Sequence, residues 1–538
     1  MQNIDFNKVF DVCIIGGGIT GANILWDATL RGFSCVLVEK NDYASGTSQA
    51  TSKMIHGGLR YLKNLELGLV RESLRERRFL AKISPHAMRP LGYIIPIYNL
   101  KDQFLFKLGL SLYDLLSFDK NYHISSDLQI PTHKFLSKKS TIVEVPNIPR
   151  ENLKGAYLYY DYANLNPERH TTEFIFSAKN RGALAFNYTE VVKVQKKEKI
   201  FLVEIKDKRS NKIFHIQTKT LVNATGPWAD YLEASLGIGE SKPLVRSKGI
   251  HIVVRNLIEK YTYVIQTKHK SHLFVIPWRG LTIIGTTDTE YTKHPDEFHI
   301  TKKEVKELIH EANEWLNFKI SLQDVKSFYG GLRPLVFDST NINTYNVSRK
   351  AEIIHHIDSG YPGFFTAVGG KYTTSRQIAQ SLVDMICEYL PGKWKECTTK
   401  TTPLDSGNFS DFVSLFQSLR KQFPKESDEK LYILAHRYGS NTETILKTRS
   451  AFNFGTIELG FHSNEKYFPE EITYILQKED IYCIEDFYMR RSGIGNVGLP
   501  EKKIQKIISQ VYKKISKKTD TQIKFEIKNW QKRYELLE

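Results

Sequence analysis

The sequence predicts an α/β protein: a parallel-sheet domain interleaved with an antiparallel β-sheet domain, followed by an α-helical C-terminal domain. Three observations carry this. The chain opens with an apolar run at 9–15, a glycine-rich turn, a helical stretch closed by Gly32, and a second apolar run at 34–38. This is a βαβ half-unit. Short runs of strand-like alternation then recur at 183–194, 201–205, 213–218, 250–254, 261–266, 273–277 and 281–285. Separated by turns, they suggest an antiparallel domain. After Thr402 the glycine-rich loops cease, and Lys-heavy helical faces run from 409 to 538.

Each element has its own reason. Gly16, Gly18 and Gly21 fit G-x-G-x-x-G between a strand and a helix. The first glycine permits the tight turn, the second admits a pyrophosphate to the backbone, and the third lets helix and strand pack. The helix start then offers unpaired N–H groups to an anion. Glu39 ends the second strand, where a carboxylate accepts bonds from a ribose. The domain is therefore FAD/NAD(P)-binding and Rossmann-like. No second fingerprint is present for NADPH as reductant. Ala224, Thr225 and Gly226 end a buried strand at 221–226. Gly369-Gly370 precedes a helix at 373–390, whose positive end would face the pyrimidine edge of a flavin. A helix is also expected at about 65–84. Pro391, Gly392, Pro403 and Gly407 mark a linker.

Composition narrows the class. Hydrophobic residues at 41% and 64 Phe, Tyr and Trp side chains supply a large core, so the chain is not mainly disordered. Five Cys without a CxxC pair exclude a disulfide scaffold and a zinc site, and no metal is expected. The formal charge of +17 is dispersed and not interleaved with aromatics, so nucleic acid is not an expected partner. The stretch 100–118 carries leucines at helical spacing, interrupted by Lys101, Asp102, Lys107 and Asp114. It reads as a buried helix or as an interfacial helix lying in one leaflet. Arg71, Arg75, Arg77, Arg78, Lys82 and Arg89 stand near enough in sequence to meet anionic lipid heads.

The most specific segment is 47–61, TSQATSKMIHGGLRY. It crowds hydroxyls, Lys, His, Gly, Arg and Tyr together without a core pattern. With IIGGGITGA, LVNATGPWA, KGIHIVV, VIPW, IIGTTD, GLRPL and GGKYTT in order, it resembles the FAD-dependent, quinone-linked glycerol-3-phosphate dehydrogenases. The tail, with FVSLFQSLRKQFP and HRYGS, resembles that family's C-terminal domain.

The resemblance implies a glucose-oxidase/amino-acid-oxidase-like fold with FAD-binding parts at about 8–90, 150–230 and 350–392. Cap parts would lie at about 91–149 and 231–349, and a helical domain at 401–538. It implies oxidation of sn-glycerol 3-phosphate to dihydroxyacetone phosphate. Hydride passes to the flavin and electrons to a membrane quinone, with the enzyme peripheral on the cytoplasmic side of the cell membrane and a homodimer as a possible assembly. Thr47, Ser48, Ser52, His56, Gly57, Gly58, Val191 and Thr373 would join the glycines, Glu39 and the 224–226 turn around FAD. Arg60, Arg349 and Lys371 would hold phosphate, with Tyr61 and Thr286 lining the pocket. Arg333 would stabilise a developing alkoxide. His251 is the expected general base and His56 its rival. Two departures stand out. Lys350, not an acidic residue, follows Arg349, and no EF-hand loop occurs in the tail. The competing activities are a glycerol-3-phosphate oxidase using oxygen, an amine or amino-acid oxidase on the same fold, and a non-catalytic flavin-binding protein.

Overall fold

The computed structural model describes residues 8–538 except 239–243, 267–271, 337–350, 449, 451, 453 and 461–464. Arg349 lies outside the described residues.

The first sheet has eight strands. Its path runs Ala351–His355, Phe364–Gly369, Lys212–Asn223, Val9–Ile15, Cys35–Val38 and Leu184–Phe186. Pairings from Phe364–Gly369 onward are parallel. Val9–Ile15 sits centrally, so its alternate residues bury on both faces. Val12 and Ile14 pack with the helices Ile19–Arg31, Pro167–Lys179 and Ser375–Tyr389, while Cys13 and Ile15 pack with Phe201, Val203 and Ile205. Those last three belong to a hairpin, Thr189–Lys197 with Ile200–Asp207, attached to Lys212–Asn223.

Three expectations are corrected here. The runs at 183–194, 201–205 and 213–218 belong to the nucleotide sheet, not to the antiparallel domain. The first of them is two strands, broken at Asn187–Tyr188, where Tyr188 takes a left-handed φ of 53°. The runs at 213–218 and 221–226 join as one strand, Lys212–Asn223. It is long because its N-terminal half pairs with the hairpin and its C-terminal half with Val9–Ile15 and Phe364–Gly369.

The second sheet has ten strands. Leu244–Val254 pairs along its length with Val325–Val336 and also with Leu281–Gly285. Met88–Ile97 and Gly155–Asn164 form its other long antiparallel pair. The helix Lys302–Trp315 opens with a capping box from Thr301 and Glu304. It buries Val305, Leu308 and Ala312 against Ile250, Ile252 and Ile284. Beyond 411 the chain is mainly helical, with a small ribbon of Ile457–Glu458 and Lys466–Tyr467.

The helix Leu100–Leu116 buries only Leu110 and Tyr113. Leu100, Phe104, Leu105, Leu108, Leu115 and the following Phe118 stand exposed, Phe104 at 72% and Phe118 at 78%. The buried-helix reading is thus overturned. Four of the arginines assigned to lipid heads are otherwise engaged, Arg71 and Arg78 with Asp119 at 2.7 and 2.8 Å. Arg77 is buried against Asp161, and Arg89 donates to His436. Among the described residues no helix is long and apolar enough to cross a membrane.

Candidate active site

The cradle for a dinucleotide is set by glycine sterics. Gly16 takes φ +113°, and a Cβ there would stand 2.5 Å from the Ala224 carbonyl oxygen. A Cβ on Gly21 would stand 2.0 Å from the Gly16 oxygen. At Gly18 a Cβ would meet only Ser48 Oγ, at 3.2 Å, so the open side of the turn is here. Ser48 Oγ accepts from the Ile19 amide at 2.9 Å, capping the helix start that faces the cradle. Glu39 accepts from the Gly17 and Asn41 amides at 2.7 and 2.8 Å. Burial raises its pKa while both backbone bonds oppose the rise. The Thr189 amide donates to the Glu39 carbonyl at 2.7 Å, bringing the strand of Val191 beside this carboxylate.

The later turns close on the same place. The Ala224 amide donates to the Ile15 carbonyl at 2.9 Å, and Thr225 Oγ1 donates to Asn223 Oδ1 at 2.7 Å, shaping the turn into Gly226. Gly370 takes φ +75°, and Thr373 is buried just before the helix Ser375–Tyr389. Asn23 Nδ2 donates to Ser375 Oγ at 3.2 Å, so two helix N-termini stand side by side at the cradle. The fit to FAD is therefore steric and electrostatic: two turns that exclude Cβ atoms, two helix starts and an amide-held carboxylate.

The 47–61 segment links the two sheets. Thr47 Oγ1 donates to the Leu332 carbonyl at 2.6 Å. Gly57 donates to Tyr113 Oη at 2.9 Å, and a Cβ on Gly58 would collide with the Tyr61 ring at 2.4 Å. His56 is half-buried beside these glycines. Tyr61 is buried with two cations at its ring, Arg60 Cζ at 5.0 Å and Lys371 Nζ at 4.8 Å from the centroid. The structure thus brings three of the expected substrate residues together.

Arg333 stands opposite Ser247 in the Leu244–Val254/Val325–Val336 pair. Its guanidinium donates to Thr286 Oγ1 at 2.7 Å, Ser247 Oγ at 3.1 Å and the Thr287 carbonyl at 3.2 Å, with Asp288 at 3.7 Å. Ser247 is in turn bonded to Asp288. Gly249 leaves room beside it: a Cβ there would stand 2.3 Å from Arg333 Nη2 and push the guanidinium from this position. Thr286 is therefore first of all a positioner of Arg333.

His251 is 2% exposed, and its Nε2 lies 2.8 Å from Ser52 Oγ. Its ring stacks on Tyr329, with centroids 4.9 Å apart and planes 11° apart. Burial, then Arg333 and Lys53, hold its pKa well below the ordinary value, so the imidazole is neutral. Ser52, expected as a cofactor contact, is the partner of this imidazole.

Three residues that the sequence reading left unassigned complete the site. Lys53 is buried, donates to Glu168 at 2.8 Å and lies 5.1 Å from the Tyr329 centroid. Tyr329 donates to the Thr51 carbonyl at 3.1 Å. Asp42, three residues past Glu39, is clasped by Arg490 at 2.6 Å and Arg491 at 2.8 Å from the C-terminal region. Lys53 sits inside the polar segment and was findable there. Tyr329 lies in an ordinary strand with no local signal.

Known proteins resemble this chain over nearly its whole length. Residues 11–376 match the family model described as FAD dependent oxidoreductase, and 397–521 match the C-terminal domain of alpha-glycerophosphate oxidase. The chain is 32% identical over 505 residues to the aerobic glycerol-3-phosphate dehydrogenase of Staphylococcus aureus (strain USA300), covering 90% of this chain and 87% of that one. The glycerol-3-phosphate dehydrogenase from Bacillus halodurans, solved with FAD, superposes with a TM-score of 0.76 at 27% identity, covering 98% and 96%. The L-alpha-glycerophosphate oxidase from Mycoplasma pneumoniae shares the fold, with a TM-score of 0.56 at 17% identity over 74% of this chain and 98% of that one. The cradle, the order of the motifs and these matches together place the chain in the family of FAD-dependent glycerol-3-phosphate dehydrogenases, with FAD as its cofactor.

Proposed function

We propose that the chain oxidises sn-glycerol 3-phosphate to dihydroxyacetone phosphate and passes the electrons to a membrane quinone. The observation that carries this reading is a neutral His251 hydrogen-bonded to Ser52 in the field of Arg333 and Lys53, together with the pair of cations, Arg60 and Lys371, at the Tyr61 ring. Arg60 and Lys371 suit a phosphate dianion, which needs paired cations. FAD supplies the hydride acceptor for the C2 hydrogen. Removing the hydroxyl proton needs a lone pair, and neutral His251 has one. Because the imidazole is buried and Ser52 only half-buried, the proton passes from the substrate hydroxyl to Ser52 Oγ as that hydroxyl gives its own proton to His251. Arg333, held by Thr286 and Ser247, stabilises the alkoxide charge as it develops.

The enzyme works peripherally on the cytoplasmic side of the cell membrane. The exposed apolar face of Leu100–Leu116 supports this placement, since a patch of that kind marks an interaction site.

The test is anaerobic. Addition of glycerol 3-phosphate should bleach the flavin band, and a soluble quinone should restore it quickly while air restores it slowly. Fast recovery in air with peroxide release would make the enzyme an oxidase. A flavin that does not bleach would overturn the substrate.

A further inference from the structure

Lys53 is a buried charge with no step of its own in the proton path from substrate to Ser52 to His251. It follows Ser52 directly and takes a φ of 57°, a left-handed conformation that a lysine adopts only at a cost. The turn sends the two neighbours apart. Ser52 Oγ meets His251 Nε2 at 2.8 Å, while Lys53 Nζ donates to Glu168 at 2.8 Å and to the Gln49 carbonyl at 3.0 Å. The Asn164 amide donates to the Lys53 carbonyl at 2.9 Å and holds the turn. We propose, on the reading of His251 as the base, that Lys53 is a positioning residue for it, acting through its charge and through Tyr329, and that the C-terminal region holds Lys53 in place by way of Asn496 and Glu168.

The ammonium and the imidazole share one aromatic ring. Lys53 Nζ lies 5.1 Å from the Tyr329 centroid, and the same ring stacks on His251 with planes 11° apart. A cation at an aromatic face is attracted to it, so the ammonium steadies the ring on which the imidazole lies. The charges that act on His251 come from two elements. Arg333, on the Val325–Val336 strand, has Asp288 at 3.7 Å, and Lys53, on the 47–61 segment, has Glu168. Ser52 and Tyr329 complete the surroundings and carry no charge, since burial pushes the phenol well above its ordinary range. Two cations oppose a third charge on the imidazole, which keeps its lone pair available. Burial pushes the Lys53 ammonium down, and Glu168 opposes that.

Glu168 is held in turn from the C-terminal region. Asn496 Nδ2 donates to Glu168 Oε1 at 2.5 Å and to the Met489 carbonyl at 2.9 Å. Arg279, just past the His272–Trp278 strand, donates to the Gly493 carbonyl at 2.8 Å, three residues before Asn496. The turn that carries Asn496 is thereby pinned on the second sheet, and its amide reaches Glu168 in the first turn of the Pro167–Lys179 helix. The C-terminal region enters the site through the counter-ion of Lys53.

The test is stopped-flow flavin reduction of the FAD-loaded full chain by saturating glycerol 3-phosphate, with each variant's rate divided by that of wild type at the same pH. The substrate phosphate titrates alike in all of them and cancels. Lys53→Met removes the charge and keeps the stem. Its relative rate should fall about threefold or more between about pH 8 and about pH 5.5, because the imidazole then takes up a proton within this window. A merely structural defect would lower the relative rate equally at both ends. Lys53→Arg, which keeps the charge, should remove the pH dependence. Asn496→Ala should show the same trend at about twofold, and it decides the matter by the same ratio if Lys53→Met fails to hold FAD. In Lys53→Met with His251→Gln the trend should vanish. A trend that persists there belongs to another group and would overturn the action on His251. Relative rates that do not change with pH in Lys53→Met and Asn496→Ala, with His251→Gln strongly impaired, would overturn the role of Lys53 and leave the base standing. His251→Gln that reduces its flavin as fast as wild type would overturn the base and this role with it.

Discussion

Ser52 Oγ and His251 Nε2, 199 residues apart in the chain, stand 2.8 Å from each other across the boundary between the glycine-rich segment and the second sheet. The pairing makes the base a two-residue device. The imidazole is sealed in the core, and the hydroxyl is the part that faces outward.

Replacing Ser52 by alanine should therefore lower kcat for glycerol 3-phosphate by about 10²-fold, the ordinary worth of a placed proton carrier. KM should change less than threefold. Steady-state kinetics with an artificial dye reads both, and a kcat within threefold of wild type would remove Ser52 from the proton path.

Gly16→Ala should yield a colourless protein. The added Cβ needs a position 2.5 Å from the Ala224 oxygen at a φ of +113°, so either the turn or the strand end must move. The flavin absorbance per mole of purified chain is the measurement, and full yellow occupancy would refute the cradle.

Asp42 balances two fully buried guanidiniums, and they hold its pKa down to about 2. Asp42→Asn takes the carboxylate from buried Arg491, while Arg490 keeps Asp486 and Glu485, and should cost about 3 kcal/mol. Thermal unfolding at saturating FAD reads this as a clear fall in Tm. An unchanged Tm would mean that the clasp contributes nothing.

Leu105→Glu together with Leu108→Glu places two carboxylates on the exposed face of the Leu100–Leu116 helix. Co-sedimentation with anionic vesicles should drop at least tenfold while Tm holds. Retained binding would put the membrane contact elsewhere.

Stability should fall on mild acidification. Burial pushes His170 down to about 3, and burial with Arg89 nearby takes His436 down to about 3. The unfolded chain takes up these protons below about 6.5, and the folded chain refuses them until about 3. Stability therefore declines as pH falls through that window, by about 1.4 kcal/mol per pH unit for His170. The urea midpoint should be lower at pH 5.0 than at pH 7.5, and equal midpoints would contradict the burial.

The parts legible in sequence are those in which local chemistry and local structure coincide. Gly16, Gly21 and Gly58 are needed because of atoms a few residues away or across one strand. The crowding of polar groups at 47–61 was visible because it breaks the core pattern. The placement of 183–218 was not legible, since an alternating strand reads alike in either sheet, and only the joined strand Lys212–Asn223 decides. The Ser52–His251 and Asp42–Arg490 pairings span hundreds of residues and leave no spacing to read. The exposure of Leu105 and Leu108 was equally hidden, because an apolar stripe does not state what it faces.

The clasp on Asp42 also bears on biosynthesis. Its arginine partners lie 448 and 449 residues downstream. At roughly 5–20 residues per second, a ribosome delivers them about 20–90 s after Asp42 has emerged. Until then the loop beyond Glu39 carries its carboxylate with the Asn187 amide as donor but without either arginine. A chain truncated before Arg490 would therefore lack both arginine partners of this buried carboxylate.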